Sequence, residues 1–134
     1  MKEGLSLKDI DALLKFLPFF RDKGNIFYTI DKKDLLYPHR YAANVHKFFE
    51  VLYKNKIIYN FDWGSWQEEA INYYNNPELL KKADITTLRK LLTLHVRKDR
   101  FCDGHFGQII KSGHLAKILE RLEDIRKAMV EKES

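Results

Sequence analysis

The chain has 134 residues, enough for one domain that buries about two thirds of its unfolded surface in a single core. With 45% apolar and 32% charged residues and 18 aromatic side chains, it is excluded from the disordered and low-complexity classes. The formal charge of +5 admits an anionic partner, but Lys/Arg outnumber Asp/Glu by only eleven to seven over residues 1–60, seven to seven over 61–105 and six to five over 106–134, so no basic tail exists.

Cys102 is the sole cysteine, which excludes an internal disulfide and a four-cysteine zinc site and fits a reducing compartment. A lone cysteine of this kind reads as a small buried hydrophobe. Asp9, Asp11 and Lys15 interrupt the apolar N-terminal segment, and no run approaches the roughly 18 apolar residues that a spanning helix needs. The expectation is a cytoplasmic protein without a membrane partner.

Ser6 and Asp9 resemble a capping box, and Ile10, Leu13, Leu14 and Leu17 repeat at helical spacing, which predicts a first helix over residues 6–17, ending at Pro18. Gly24-Asn25 signals a turn, and the aromatic, β-branched run 26–30 reads as a short strand. Pro38 suits a first helical position, and Tyr41, Val45, Phe48, Phe49 and Leu52 form the stripe of a second helix reaching Lys54. Residues 56–59 then offer a partner strand for 26–30 in a two-stranded ribbon.

Ser65 and Glu68 read as a capping box for a helix that Asn75-Asn76-Pro77 ends, and Asn76 with Pro77 opens a short helix over 77–82. Asp84 caps a helix over 85–99, Asp103 caps another over 104–112 that Ser112-Gly113 closes, and a last helix spans 114–131. The fold class is therefore mainly α, one domain over residues 1–134 built as a helical bundle, with a short ribbon in its N-terminal half.

The stretch HVRKDRFCDGHF, residues 95–106, concentrates the reactive side chains. At about 100° per residue, His95 and Asp99 share the apolar face of their helix with Leu88 and Leu92, while Arg97 points toward water. A histidine and a carboxylate on a core-facing stripe require partners, since an unpaired buried polar group costs several kcal/mol. Three readings of the stretch follow.

In the first, Arg97 and Arg100 contact a phosphate, Asp103 and Gly104 open a helix whose free amides assist, and Trp63 or Trp66 stacks on a ring; the partner is an anionic small molecule or a nucleic acid. In the second, a hydrolase uses His95 as base, Asp99 as its orienter, Arg100 as charge stabiliser and His105 as acid. In the third, the cluster only fastens the fold. From Arg89 to Arg100, five Lys/Arg stand against Asp99, which favours the anionic partner. Spacing among His95, Asp99, Cys102, His105 and His114 matches no zinc signature, so no metal is expected, and no phosphate-binding loop, nucleophile elbow or dinucleotide fingerprint calls for a cofactor.

FDWGSW, LRKLLTLHVRKDRFCDGHF and SGHLAKILERL resemble, in that order and at similar spacing, a family of small bacterial and archaeal proteins catalogued as a domain of unknown function. The resemblance covers about residues 61–122 and leaves 1–60 as an N-terminal helical part. It implies that Phe61, Asp62, Trp63, Trp66, Leu88, His95, Arg97, Arg100, Phe101, Gly104, His105, Gly113 and His114 belong to the family's recurring positions, with Gly64 a departure at one turn. It implies neither an activity nor a cofactor.

Overall fold

Local signals at the chain's helix ends decide much of the architecture, and Ser6 shows how. Its amide donates to the Asp9 carboxylate at 3.0 Å while the Asp9 amide donates to the Ser6 hydroxyl at 3.1 Å, closing the reciprocal cap of α1 (Leu7–Leu14). The computed structural model describes residues 4–133. The single helix expected over 6–17 is two: the Phe16 amide turns back to the Leu13 carbonyl, and α2 (Leu17–Arg21) restarts with Pro18 in its first turn, where a missing N–H costs nothing.

The ribbon exists, but with a different partner. β1 (Tyr28–Ile30) pairs antiparallel with β2 (His39–Tyr41), Tyr28 opposite Tyr41 and Ile30 opposite His39. Pro38 does not open a helix; its carbonyl accepts from the Asp31 amide at 2.7 Å beside β2, and α3 (Ala43–Lys54) begins only after the strand. Residues 56–59 form no strand. Lys56 takes a left-handed backbone (φ 55°) that ends α3, the Ile57 and Ile58 amides return to the Leu52 carbonyl, and both isoleucines are buried. The carbonyls of Lys56 and Ile57 accept from the Arg89 guanidinium at 3.0 and 3.2 Å, so this run's backbone is held by a helix end and an arginine.

The C-terminal half follows its caps more closely. Asn76 accepts from the Glu78 and Leu79 amides at the start of α5 (Pro77–Leu80), and Asp84 accepts from the Thr87 amide at 2.8 Å at the start of α6 (Ile85–Asp99). Gly113, at φ 86°, separates α7 (His105–Lys111) from α8 (His114–Glu133). Two expected caps fail. Ser65 spends its amide and hydroxyl on Asp62, so α4 (Gln67–Asn75) starts without a side-chain cap at Trp66. Asp103 does not cap α7 either: Gly104 occupies that position, and the carboxylate reaches across to His39.

The core runs between α1, α2, α3 and the inner faces of α6, α7 and α8. Val45, Phe48 and Leu52 of α3 share one buried cluster with Leu88, Leu91 and Leu92 of α6 and Leu115, Ile118, Leu119 and Leu122 of α8. Phe106 plugs the junction of α3 and α7, its ring 4.8 Å from Phe49 and 6.3 Å from Phe48. The architecture is mainly α with one small two-stranded sheet in its N-terminal half. Among the described residues no helix is long and apolar enough to cross a membrane.

The ribbon is seated on α7 through two glycines. Gly104 has φ 86°, and a Cβ there would run into the His39 ring; a Cβ on Gly107 would run into the Tyr28 ring. Gly104→Ala is therefore expected to destabilise the fold by at least about 2 kcal/mol, from left-handed strain plus displacement of His39. Gly64→Ala, whose Cβ would approach nothing nearer than 3.6 Å, should change stability by under about 0.5 kcal/mol. Urea denaturation midpoints measure both, and equal effects would refute this seating of the ribbon.

Candidate functional site

The residues singled out between 95 and 106 separate into three groups because α6 turns each side chain to a different neighbour. Asp99 faces the ribbon. Its Oδ1 accepts from the Tyr41 hydroxyl at 2.6 Å and from the Phe106 amide at 2.9 Å, and the Tyr41 oxygen in turn accepts from the Gly107 amide at 3.1 Å. Burial, and then the Asp99 carboxylate, push the Tyr41 phenol far above its ordinary value, so it stays a neutral donor. Asp103 repeats the arrangement one turn away: Oδ2 accepts from the His39 amide at 3.0 Å and lies 2.6 Å from His39 Nδ1.

These contacts account for the start of α7. The His105 amide donates to the Cys102 carbonyl, Phe106 to Asp99, Gly107 to Tyr41 and Gln108 to Gly104. Of the amides of residues 104 to 106 expected to greet an anion, those of His105 and Phe106 are thus engaged within the chain, as are the next two, Gly107 and Gln108. Asp99 and Asp103 belong to a polar clasp between the ribbon and α7, and Asp99 is bonded to neither histidine.

His95 points elsewhere on α6. It is buried, and its Nδ1 meets Nε2 of His105 at 3.0 Å with the rings tilted by 32°. The ring of His114, at the start of α8, stands edge-on to His95 at 5.4 Å and packs against Tyr74 at 5.1 Å. Nε2 of His95 and Nε2 of His114 are buried with no hydrogen-bond partner. Burial holds the His95 imidazole well below its usual value, reinforced by His114, His105 and Lys98; burial and Lys98 lower His105; burial and Lys117 bring His114 down to about 4. All three rings are neutral near pH 7. Among the described residues no three His, Cys, Asp or Glu side chains are arranged to hold a metal ion.

His95 and His105 line a cleft of about 260 Å³ between three helices. α4 contributes Gln67, Ala70, Ile71 and Tyr74; α6 contributes Leu94, His95 and Lys98; α7 contributes His105, Gln108 and Ile109. The lining is largely apolar, and it includes one ammonium, two side-chain amides and the imidazole pair. Because His105 Nε2 is turned to His95, its Nδ1 is the atom left for a bound molecule. A neutral histidine carries one ring proton, so a single N–H joins the pair, and whichever group bonds to Nδ1 of His105 decides which ring donates it.

The remaining residues lie on a third face. Arg97 and Arg100 stand over the Tyr53 ring, at 5.6 and 5.9 Å, and Arg100 donates to the Tyr53 hydroxyl at 3.0 Å. Trp63 contacts Phe101 at 6.0 Å, whereas Trp66 stacks on Tyr73 beneath Lys90. Trp63 and Trp66 therefore belong to separate clusters, and neither lines the histidine cleft. Arg97 is half-buried on Tyr53 rather than free in water. Arg89, counted among the positive charges of this stretch, is buried on backbone carbonyls. Cys102, expected inside, is exposed in the turn after α6.

Lys98, Gln67, Gln108 and Tyr74 were not among the residues that the sequence singled out for the site, and His114 entered only as a rejected metal ligand and a recurring family position. His114 and His105 each follow a glycine that ends a turn, a local hint that both start helices. Lys98 lies three residues after His95, hence on a neighbouring face. Nothing in the sequence signals that α4 closes the third side.

A family model matches residues 5–128, taking in nearly all of the N-terminal part that the motifs leave unplaced, and its description is family of unknown function (DUF6508). No curated protein and no solved structure matches the chain.

The depressed imidazoles set a direction for stability against pH. The unfolded chain takes up protons near the ordinary value of 6.5, whereas the folded rings stay neutral, so stability is complete above pH 6.5 and falls as pH drops. For His114 the loss continues to about pH 4 and amounts to about 3 kcal/mol. His114→Gln should flatten the dependence of the urea midpoint on pH between 6.5 and 4; identical slopes in the two proteins would contradict the assignment.

Proposed function

The chain belongs to the DUF6508 family, whose description assigns no activity, and from the cleft itself we propose that it binds a small phosphate-bearing molecule between α4, α6 and α7. The observation that carries this reading is that Lys98, His105, Gln67 and Gln108 line one otherwise largely apolar cleft together, backed by a buried His95 whose Nε2 lacks a partner. An apolar pocket with a few convergent polar groups and shifted imidazoles is the usual form of a small-ligand site. At about 260 Å³ the cleft lies just below the common range of ligand pockets, so the reading is a compact monoester rather than a dinucleotide.

The chemistry of each group follows from its donors. The Lys98 ammonium supplies the one full positive charge, and the Gln67 and Gln108 amides supply neutral N–H groups. A phosphate oxygen accepting from Nδ1–H of His105 leaves Nε2 of that ring as an acceptor, so His95 donates its Nδ1–H across the 3.0 Å contact. An anion thus selects one tautomer of the pair. Ile71, Leu94 and Ile109 would cover the ester's apolar body.

The hydrolase reading meets this geometry only at the His95–His105 contact, since Asp99 serves Tyr41 and the Phe106 amide instead of orienting His95. The purely structural reading fits Asp99, Asp103 and Gly104, which clasp the ribbon, but gives no role to Lys98 or the two glutamines around open space.

Phenyl phosphate should raise the melting temperature by several degrees, saturably, because a ligand at about 100 times its Kd adds about 2.7 kcal/mol. Inorganic phosphate, which lacks the apolar body, should act more weakly. Lys98→Gln and His105→Gln should each abolish most of the shift, and nitrogen-15 spectra of the histidine rings should show one tautomer selected on binding. A shift absent in the native chain, or unchanged in Lys98→Gln, would reject the proposal.

A further inference from the structure

Arg97 lies two residues, hence about 200° of helix rotation, from His95, and it opens a surface separate from the cleft. Two guanidiniums meet the Tyr53 ring there, and the residue after Arg100, Phe101, belongs to a second aromatic pair. Arg97 and Arg100 stand over Tyr53, while Phe101, next in the chain, sets its ring beside Trp63. We propose that this surface binds single-stranded nucleic acid, the arginines taking backbone phosphates while unpaired bases stack on Phe101 and Trp63.

Charge supports that partner. Arg21, Arg40 and Arg126 each pair with a carboxylate, and Arg89 is committed to backbone carbonyls. Among the described residues neither Arg97 nor Arg100 forms an ion pair, so only Tyr53 holds them and their remaining N–H groups are open to phosphate oxygens. A cation near the end of α6 complements the helix dipole, which explains a charge at 97 without explaining the aromatic rings.

Phe101 supplies the second argument. It is 79% exposed, so its ring adds little to the core, yet it lies against a tryptophan. An exposed Phe101 ring backed by a partly buried Trp63, near guanidiniums without ion pairs, matches a strand whose bases show their faces and not a duplex, in which those faces are already stacked. An acidic peptide would use the arginines and leave Phe101 without a purpose.

The test uses fluorescein-labelled U12, dU12 and a 12-base-pair duplex, followed by anisotropy at about 50 mM salt, where phosphate contacts are strong. Either single strand should bind and quench tryptophan emission, with the duplex at least tenfold weaker; comparison of U12 with dU12, which differ only in the 2′-hydroxyl, identifies the sugar preferred. Arg97→Gln with Arg100→Gln should weaken binding tenfold or more and flatten the log–log salt slope by about 1.4, at about 0.7 per lost single-strand contact. Phe101→Ala should weaken binding at least fivefold and leave the slope unchanged, with an unaltered melting temperature as its folding control. His105→Gln, which strikes the cleft, should have no effect, so the two readings fail separately. No single-strand binding, equal affinity for duplex, or indifference to Phe101→Ala would overturn the proposal, as would sedimentation showing dimers that Phe101→Ala disperses, which would assign the face to a second copy of the chain.

Discussion

The Asp99 carboxylate holds a strand and a helix at once, and the geometry of everything nearby depends on it. Oδ1 takes the Tyr41 hydroxyl from β2 and the Phe106 amide from the first turn of α7. Hydrogen bonds to an ionised group contribute about 1.5–3 kcal/mol each, and loss of the carboxylate would also strand a backbone amide among buried side chains. His105 immediately precedes Phe106. The bond that fixes the Phe106 amide therefore also fixes where the His105 ring leaves the backbone, and with it the 3.0 Å contact to His95. Asp103 and its two contacts to His39 brace the same junction from the other strand end.

A clasp of this kind has to exclude alternatives, which is the work of the glycines. Side chains at 104 or 107 would push His39 or Tyr28 away and lengthen the contacts that Asp103 and Tyr41 make. The same packing removes the amides of α7 from any role in ligand binding. Structure and chemistry thus divide a stretch that looks uniform as text: Asp99, Asp103 and Gly104 seat the ribbon, while His95 and His105 turn away toward α4.

How much of this was legible follows from the range of each signal. Ser6 with Asp9, Asn76 with Pro77, Asp84 with Thr87 and the glycine at 113 act within three residues, and each helix end was readable where it stands. The ribbon was not. The polar run His39–Tyr41, read as the start of a helix, is what pairs with β1, and the apolar run 56–59 gives its carbonyls to Arg89, more than thirty residues away. Ser65 and Asp103 failed as caps because an oxygen that can cap is equally able to bond elsewhere: Asp62 was nearer for one, His39 better placed for the other. The inward face shared by His95 and Asp99 could be computed from helix rotation, but their separate partners could not, since a rotation angle says nothing about what packs opposite.

Helix rotation also explains why so many reactive residues crowd one segment without forming one site. Successive steps of about 100° carry His95 to the cleft, Arg97 to Tyr53, Lys98 back to the cleft rim, Asp99 to the ribbon and Arg100 to Tyr53 again. The environments differ as sharply as the directions. On the cleft side burial keeps the imidazoles uncharged, so Lys98 is the one cation lining that pocket and acts where low dielectric strengthens it. On the Tyr53 side Arg97 is half-buried and Arg100 exposed, and their pull on an anion is screened by salt. One fifteen-residue helix can therefore offer a small, largely apolar cleft and a cationic face, because its backbone keeps them on different sides and the clasp at Asp99 prevents it from turning.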